Sequence, residues 1–207
     1  MIESDSQAQN RIIDSAREQF LAFGFTKVSV EEIASKMGMS KKTIYKHFPK
    51  KEDLVREVIE STLREVETCC RQIVEDDTLD FVEKLKKMMS NAALHISKLG
   101  RPLIEDLEKN VPHVWKEISD FRSKQIKENF GKLYSEGVRK GFFRSDIDPQ
   151  LFIMIYDNII ENIISPDLLS QIPFTASQVY DTIIKIIFEG ILTNGARPKY
   201  IPSVAAK

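Results

Sequence analysis

Cysteine is almost missing from this 207-residue chain. The two that occur, Cys69 and Cys70, are adjacent inside a helical pattern, where neighbours point about 100° apart. They offer neither a disulfide framework nor metal-ligand spacing, and they read as small core or boundary residues of a protein in a reducing compartment rather than as a redox pair. No apolar run approaches the roughly 20 residues needed to cross a bilayer, and the opening MIESDSQAQNR is polar, unlike a signal peptide. A cytoplasmic protein without a membrane partner is expected. Period-two alternation hardly appears, which argues against strands. There is no G-x-S-x-G, phosphate loop or zinc signature, and His95 and His113 have no spaced Asp, Glu or Cys partner. No catalytic residue, metal or cofactor is therefore assigned.

What is present is apolar residues at three- and four-residue steps nearly everywhere, so the fold class is all-α, with about nine helices. The first runs from about Gln7 to Phe23, with Ile12, Ile13, Ala16, Phe20 and Leu21 on one face and Gly24 as its stop. Two short helices follow. A long one over 51–75 has the character of a connector. Asp77 or Thr78 is expected to cap a helix that turns Phe81, Leu85, Met88, Met89 and Ile96 inward. Segments opened by Pro102 and by Pro112 come next. Asp148 is a good N-cap, and Pro149 stands where a helix tolerates proline. That helix, LFIMIYDNIIENII, is apolar almost all round, and the last helix, about 176–193, repeats the problem. Two such helices suggest that a second copy of the chain covers part of them. A homodimer is expected, with Ile159, Ile160, Ile163, Ile183, Ile184, Ile187, Phe188 and Ile191 at its interface. The tail ARPKYIPSVAAK is expected to be poorly ordered.

The net charge of -1 hides an uneven distribution. Residues 1 to 51 carry an excess of three positive charges, and Lys36, Lys41, Lys42, Lys46, Lys50 and Lys51 fall in one stretch with no Asp or Glu between Glu32 and Glu52. Within it, Ser29 and Glu32 form a capping box, Gly38 supplies a left-handed turn, and Ser40 caps a second short helix, KKTIYKHF. Ile44 and Phe48, four residues apart, must face inward. Lys41, Lys42, Thr43, Tyr45, Lys46 and His47 are then exposed, a surface suited to a polyanion whose condensed counterions are released on binding.

The stretch SVEEIASKMGMSKKTIYKHFPKKEDL resembles the DNA-binding region of TetR/AcrR-type transcriptional regulators, over residues 7 to about 60. The resemblance implies an N-terminal three-helix helix-turn-helix DNA-binding domain over 1–50 and a C-terminal helical effector-binding and dimerisation domain over 51–200, with 201–207 as a tail. It implies that Lys42, Thr43 and Tyr45 lie nearest the bases of a palindromic double-stranded operator. Ser29, Ser40, Lys41, Lys46, His47 and Lys51 complete the DNA-binding set, most of them near phosphates. Two positions depart from the family pattern: Lys42 where many relatives have glycine, and Lys50 where a capping Ser, Asn or Asp is usual. The implied function is a repressor released from its operator by a small-molecule effector. Met88, Met89, His95, Trp115, Phe121, Arg122 and Tyr134 have the polarizable, aromatic or charged character of an effector pocket.

Two other readings compete. A ligand-independent architectural or cell-division factor would use the same DNA-binding surface without a pocket. The run Asp76, Asp77, Thr78, Leu79, Asp80 spells the D-D-x-x-D of magnesium-dependent all-helical diphosphate enzymes. That run falls at a helix junction, where such residues serve as caps, and no second carboxylate-rich motif accompanies it.

Overall fold

The computed structural model describes residues 5–196, and the tail beyond Ala196 lies outside the described residues. The described chain is built of ten helices, one more than expected. They are α1 (Asp5–Phe23), α2 (Val30–Lys36), α3 (Lys41–His47), α4 (Lys51–Glu75), α5 (Phe81–Ser97) and α6 (Arg101–Lys109). The long α7 starts at Pro112 and runs to Arg139, followed by α8 (Pro149–Ile163), α9 (Pro166–Gln171) and α10 (Ala176–Ile191). The helix that sequence patterning missed is α9, a six-residue turn capped by Ser165 and opened by Pro166, too short to show a period.

Where α5 begins, the structure corrects the expected cap. Asp80 caps it, its carboxylate accepting the Glu83 N–H at 2.9 Å while Glu83 accepts that of Asp80 at 2.9 Å. Asp76 instead accepts the Thr78 N–H and hydroxyl. Asp76 and Asp80 therefore close a helix junction. Asp148 caps α8 as the sequence indicates, accepting from the Leu151 N–H at 2.9 Å. Between them α7 widens into one π-turn over Ile126–Phe130, where the Gly131 N–H reaches back five residues to the Ile126 carbonyl.

Buried side chains form two clusters. The first joins Ile12, Ala16 and Phe20 of α1 to Ile33, Ile44, Phe48, Leu54 and Val58, and also takes in Leu103 and Leu107 of α6 and Val114 of α7. The second gathers α5 and α7–α10 around Tyr134, whose ring stacks on Phe152 at 4.2 Å and on Phe143 at 5.1 Å. Three helices belong to both: α7, with Val114 in the first and Ile126, Phe130, Leu133 and Tyr134 in the second, and α4 and α6. α4 puts Leu54, Val58 and Ile59 in the first and Cys70 and Ile73 in the second, and α6 puts Leu103 and Leu107 in the first and Ile104 in the second. Phe143 and Leu192 form an antiparallel bridge that fastens the α7–α8 link to the end of α10. The Arg144 N–H donates to the Ile191 carbonyl and the Thr193 N–H to the Phe142 carbonyl.

The expected interface residues divide. Ile160, Ile183, Phe188 and Ile191 are buried in the chain's own core, because each lies on the inner side of its helix. Little of their surface is left for a second copy. Ile159, Ile163, Ile184 and Ile187 are partly buried. The large apolar side chains left uncovered on α8 and α10 are different ones: Leu151, Met154, Ile155 and, at 68% exposure, Ile186.

Candidate nucleic-acid interface

The two short helices α2 and α3 are specified locally. The Ser29 hydroxyl oxygen accepts from the Glu32 N–H at 3.2 Å, and Glu32 accepts from the Ser29 N–H at 2.6 Å, completing the capping box. Gly38 takes φ +64 with no atom near its missing Cβ, so glycine is needed there for conformation rather than for space. The Met39 N–H closes the turn on the Ala34 carbonyl at 3.0 Å. Ser40 then caps α3, accepting from the Thr43 N–H at 3.1 Å. Ile44 and Phe48 are buried against α1 and α4, which turns the other side of α3 outward.

On that outer side Lys41, Lys42, Tyr45 and Lys46 are exposed and Thr43 is half-buried. The sequence left these cations without a carboxylate, but the fold supplies two from other helices. Lys41 pairs with Glu31 of α2 and lies 5.6 Å from the centre of the Tyr45 ring, and Lys46 approaches Asp5 of α1 at 3.4 Å. Such exposed pairs are weak and are readily exchanged for another anion. Lys42 has no ion-pair partner among the described residues. His47, like the half-buried Thr43, departs from the expected exposure. Its side chain is only 5% exposed, and its Nδ1 lies 3.7 Å from Asp5 of α1.

Lys51, in the first turn of α4, donates to the Thr26 carbonyl at 3.2 Å, so it is tied to the α1–α2 turn. Lys50 has no acceptor to offer the end of α4, and only Asp53 closes the cap, accepting the Lys50 N–H at 3.0 Å. Lys27, two residues before Ser29, is exposed on the same turn. Standing before the capping signal and outside the lysine-rich run, it carries no local mark in the sequence.

The seven effector-pocket candidates do not converge. Met88, Met89 and Tyr134 lie inside the second core, where the Tyr134 hydroxyl has no partner and burial pushes its pKa up. His95 is half-buried on α5, its pKa lowered chiefly by burial. Phe121 is partly buried on α7. Trp115 and Arg122 do meet, with the guanidinium 5.3 Å from the indole centre. Two recesses lie elsewhere and include none of the seven. A groove of about 980 Å³ runs between α7 and α8, lined by Lys132, Arg139, Ile153, Met154 and Asp157 among others. A recess of about 270 Å³ at the joint is lined by Thr26, Lys51, Arg56, Val111 and His113 among others.

A capped pair of short helices, a positive-φ glycine between them and an outward basic, hydroxylated and aromatic face define a helix-turn-helix DNA-binding protein. The family described as "Bacterial regulatory proteins, tetR family" matches residues 12–58, the stretch just described. Over 172 residues, 82% of this chain and 86% of the relative, the sequence is 28% identical to the HTH-type transcriptional regulator YvaF of Bacillus subtilis. It is 26% identical over 194 residues to the HTH-type transcriptional repressor KstR2 of Mycobacterium tuberculosis, 90% of this chain and 94% of that one. A TetR-family regulator of Marinobacter aquaeolei shares the fold, with a TM-score of 0.71 at 16% identity over 95% and 96% of the two chains. Residues 12–58 thus match the tetR family of bacterial regulatory proteins, and over most of its length the chain is similar to HTH-type transcriptional regulators. No helix among the described residues is long and apolar enough to cross a membrane.

Proposed function

We propose that the protein is a homodimeric repressor that reads a palindromic operator with two copies of α3 and leaves it when a small molecule binds the helical body. The observation that carries the reading is the outward face of α3, exposed and cationic on a scaffold capped at both short helices. In this reading residues 1–50 form the reading head, and 51–200 form the effector-binding and dimerisation body, with α4 connecting them. Lys42, Thr43 and Tyr45 meet base edges. Ser29, Ser40, Lys41, Lys46 and Lys51, joined by Lys27, hold phosphates. His47 supports α3 against α1 instead of reaching the duplex. The name of the KstR2 relative, a repressor, supports the sign of regulation.

The test separates the two kinds of contact. Replacing Lys42 or Tyr45 by alanine should change which duplexes are preferred in selection from a random pool, by about 1–3 kcal/mol at the affected base pair. Lys51→Ala should weaken binding to all duplexes and reduce the salt slope of log Kobs by about one. If neither changes DNA binding, the face is misassigned.

Within the body, Arg122 is the strongest anchor for an effector. Its guanidinium stacks on Trp115, donates to the Ser119 hydroxyl at 3.3 Å and has no carboxylate within ion-pairing distance among the described residues. Burial lowers its pKa, partly offset by Glu161 and Asp157. A half-buried cation in that state favours an incoming carboxylate. In thermal-shift measurements over a panel of small carboxylic acids, at least one is expected to stabilise the wild type and not Arg122→Gln. A shift that survives the substitution removes Arg122 from the site. The ligand-independent reading is favoured by the closed packing around Tyr134, Met88 and Met89, and it gains if no acid in the panel stabilises the protein.

A further inference from the structure

The joint between reading head and body contains a buried carboxylate on α6. Asp106 is 4% exposed, next to Leu107, whose side chain lies in the first core. An unsatisfied carboxylate there would be costly, yet this one is satisfied from two directions. Its Oδ2 accepts the Thr26 N–H of the α1–α2 turn at 2.8 Å, across 80 positions of sequence, and its Oδ1 accepts from the Asn110 amide at 2.8 Å. Burial pushes its pKa up, but the hydrogen bonds from Thr26, Asn110 and the Phe25 backbone outweigh that and keep the carboxyl below its ordinary range.

The turn is shaped to admit this side chain. Gly24 has φ +89, and a Cβ added there would stand 3.0 Å from both Asp106 Cβ and Oδ2. Thr26 is gripped on its other side as well, where its carbonyl accepts from Lys51 of α4. One residue is thus held by α6 and by α4, two of the three helices that enter both cores. Three residues later Ser29 caps α2, and the Gly38 turn leads directly into α3. Elsewhere on these two helices, Ser15 Oγ and Gln19 Nε2 of α1 and Glu108 Oε2 of α6 are buried without hydrogen-bond partners. Apolar contacts tolerate small sliding, whereas a charge-assisted hydrogen bond is directional.

We infer that the Asp106 carboxylate is a positioning group that fixes the reading head on the body and so sets the distance between the two recognition helices of the dimer. The inference rests on the DNA-binding reading above. A dimer must present its recognition helices about 34–36 Å apart to reach successive major grooves, so a loosened joint costs discrimination between half-site spacings more than contact with either half-site.

The experiment starts from a palindromic duplex selected by the wild-type protein from a random pool, together with versions whose half-sites are moved apart or together by one and two base pairs. Asp106→Asn keeps the shape but turns an amide donor toward either the Thr26 N–H or the Asn110 amide. The ratio of affinities between native and altered spacings is expected to fall on the order of tenfold in this variant, with dimerisation unchanged. Asn110→Ala, which leaves the Thr26 bond in place, should keep the wild-type ratio. A purely structural role would lower affinity for all spacings alike, and an unchanged ratio in Asp106→Asn overturns the inference. A second measurement needs no variant: the Thr26 amide in the wild type should exchange as slowly as amides of the first core, and fast exchange would overturn the inference too. If the pool yields no duplex at all, the DNA-binding reading itself has failed, which the exchange measurement distinguishes from failure of the joint.

Discussion

Replacing Ile186 with glutamate is expected to split the proposed dimer and lower operator affinity by about a hundredfold or more. Ile186 leaves 68% of its surface uncovered on α10, beside α8 with its exposed Leu151, Met154 and Ile155. Fully burying such a side chain is worth about 1.5–3 kcal/mol. A two-fold interface uses the same patch on both copies, so one substitution is felt twice and brings two carboxylates into one apolar contact. Losing the dimer removes the second half-site contact from the same binding event, which by effective-concentration arguments is worth about 10²–10⁴ in affinity. Size-exclusion chromatography with light scattering, followed by titration against the selected duplex, reads both effects. Ile160→Ala is the informative contrast. Ile160 is buried inside the protomer, so its truncation should destabilise the fold by about 2–5 kcal/mol and leave the folded fraction dimeric. A dimeric Ile186→Glu protein would move the interface away from α10.

Gly137→Ala is expected to destabilise the protein by about 2 kcal/mol despite adding a good helix former. A Cβ there would meet Phe143 Cδ2 at 2.5 Å and Phe81 Cζ at 2.6 Å, well inside contact distance. Neither ring can easily retreat. Phe81 packs edge-on against Phe143 at 5.4 Å, and Phe143 is stacked in turn on Tyr134 and stands against Phe188. Overpacking of this kind costs about 1–3 kcal/mol or more, and the gain in helix propensity returns about 1 kcal/mol at most. For a chain of this size the melting temperature should fall by roughly 4–8 °C. Gly131→Ala, six residues earlier in α7, is the control. An added Cβ there would stand 3.9 Å from the Ile126 carbonyl oxygen, an ordinary contact, so the propensity term acts alone and the melting temperature should hold or rise. Equal losses in the two variants would mean that the Phe81–Phe143 contact is not what requires glycine at 137.

Local codes were legible in the sequence because their causes are local. Ser29 with Glu32, Gly38, Ser40 and Asp148 each act within four residues, and each performs in the structure the part its spacing indicates. The inward pair Ile44 and Phe48 followed from helical period alone. The α5 cap falls on Asp80 rather than on Asp77 or Thr78, since Asp76, Asp77, Thr78 and Asp80 are all competent caps and their spacing alone does not choose among them.

By itself the sequence determined the helical class, the capped helix-turn-helix and the basic character of α3, since period, caps and charge are properties of neighbouring residues. Only the tertiary structure decided which isoleucines of α8 and α10 remain uncovered, that His47 turns toward Asp5, and that Glu31 and Asp5 shade the lysines of α3. It alone brought Asp106 to Thr26. The physical reason is common to all of these. A helix apolar on most sides does not announce which side its neighbours will cover, and a carboxylate 80 residues away carries no local sign of the backbone N–H it will meet.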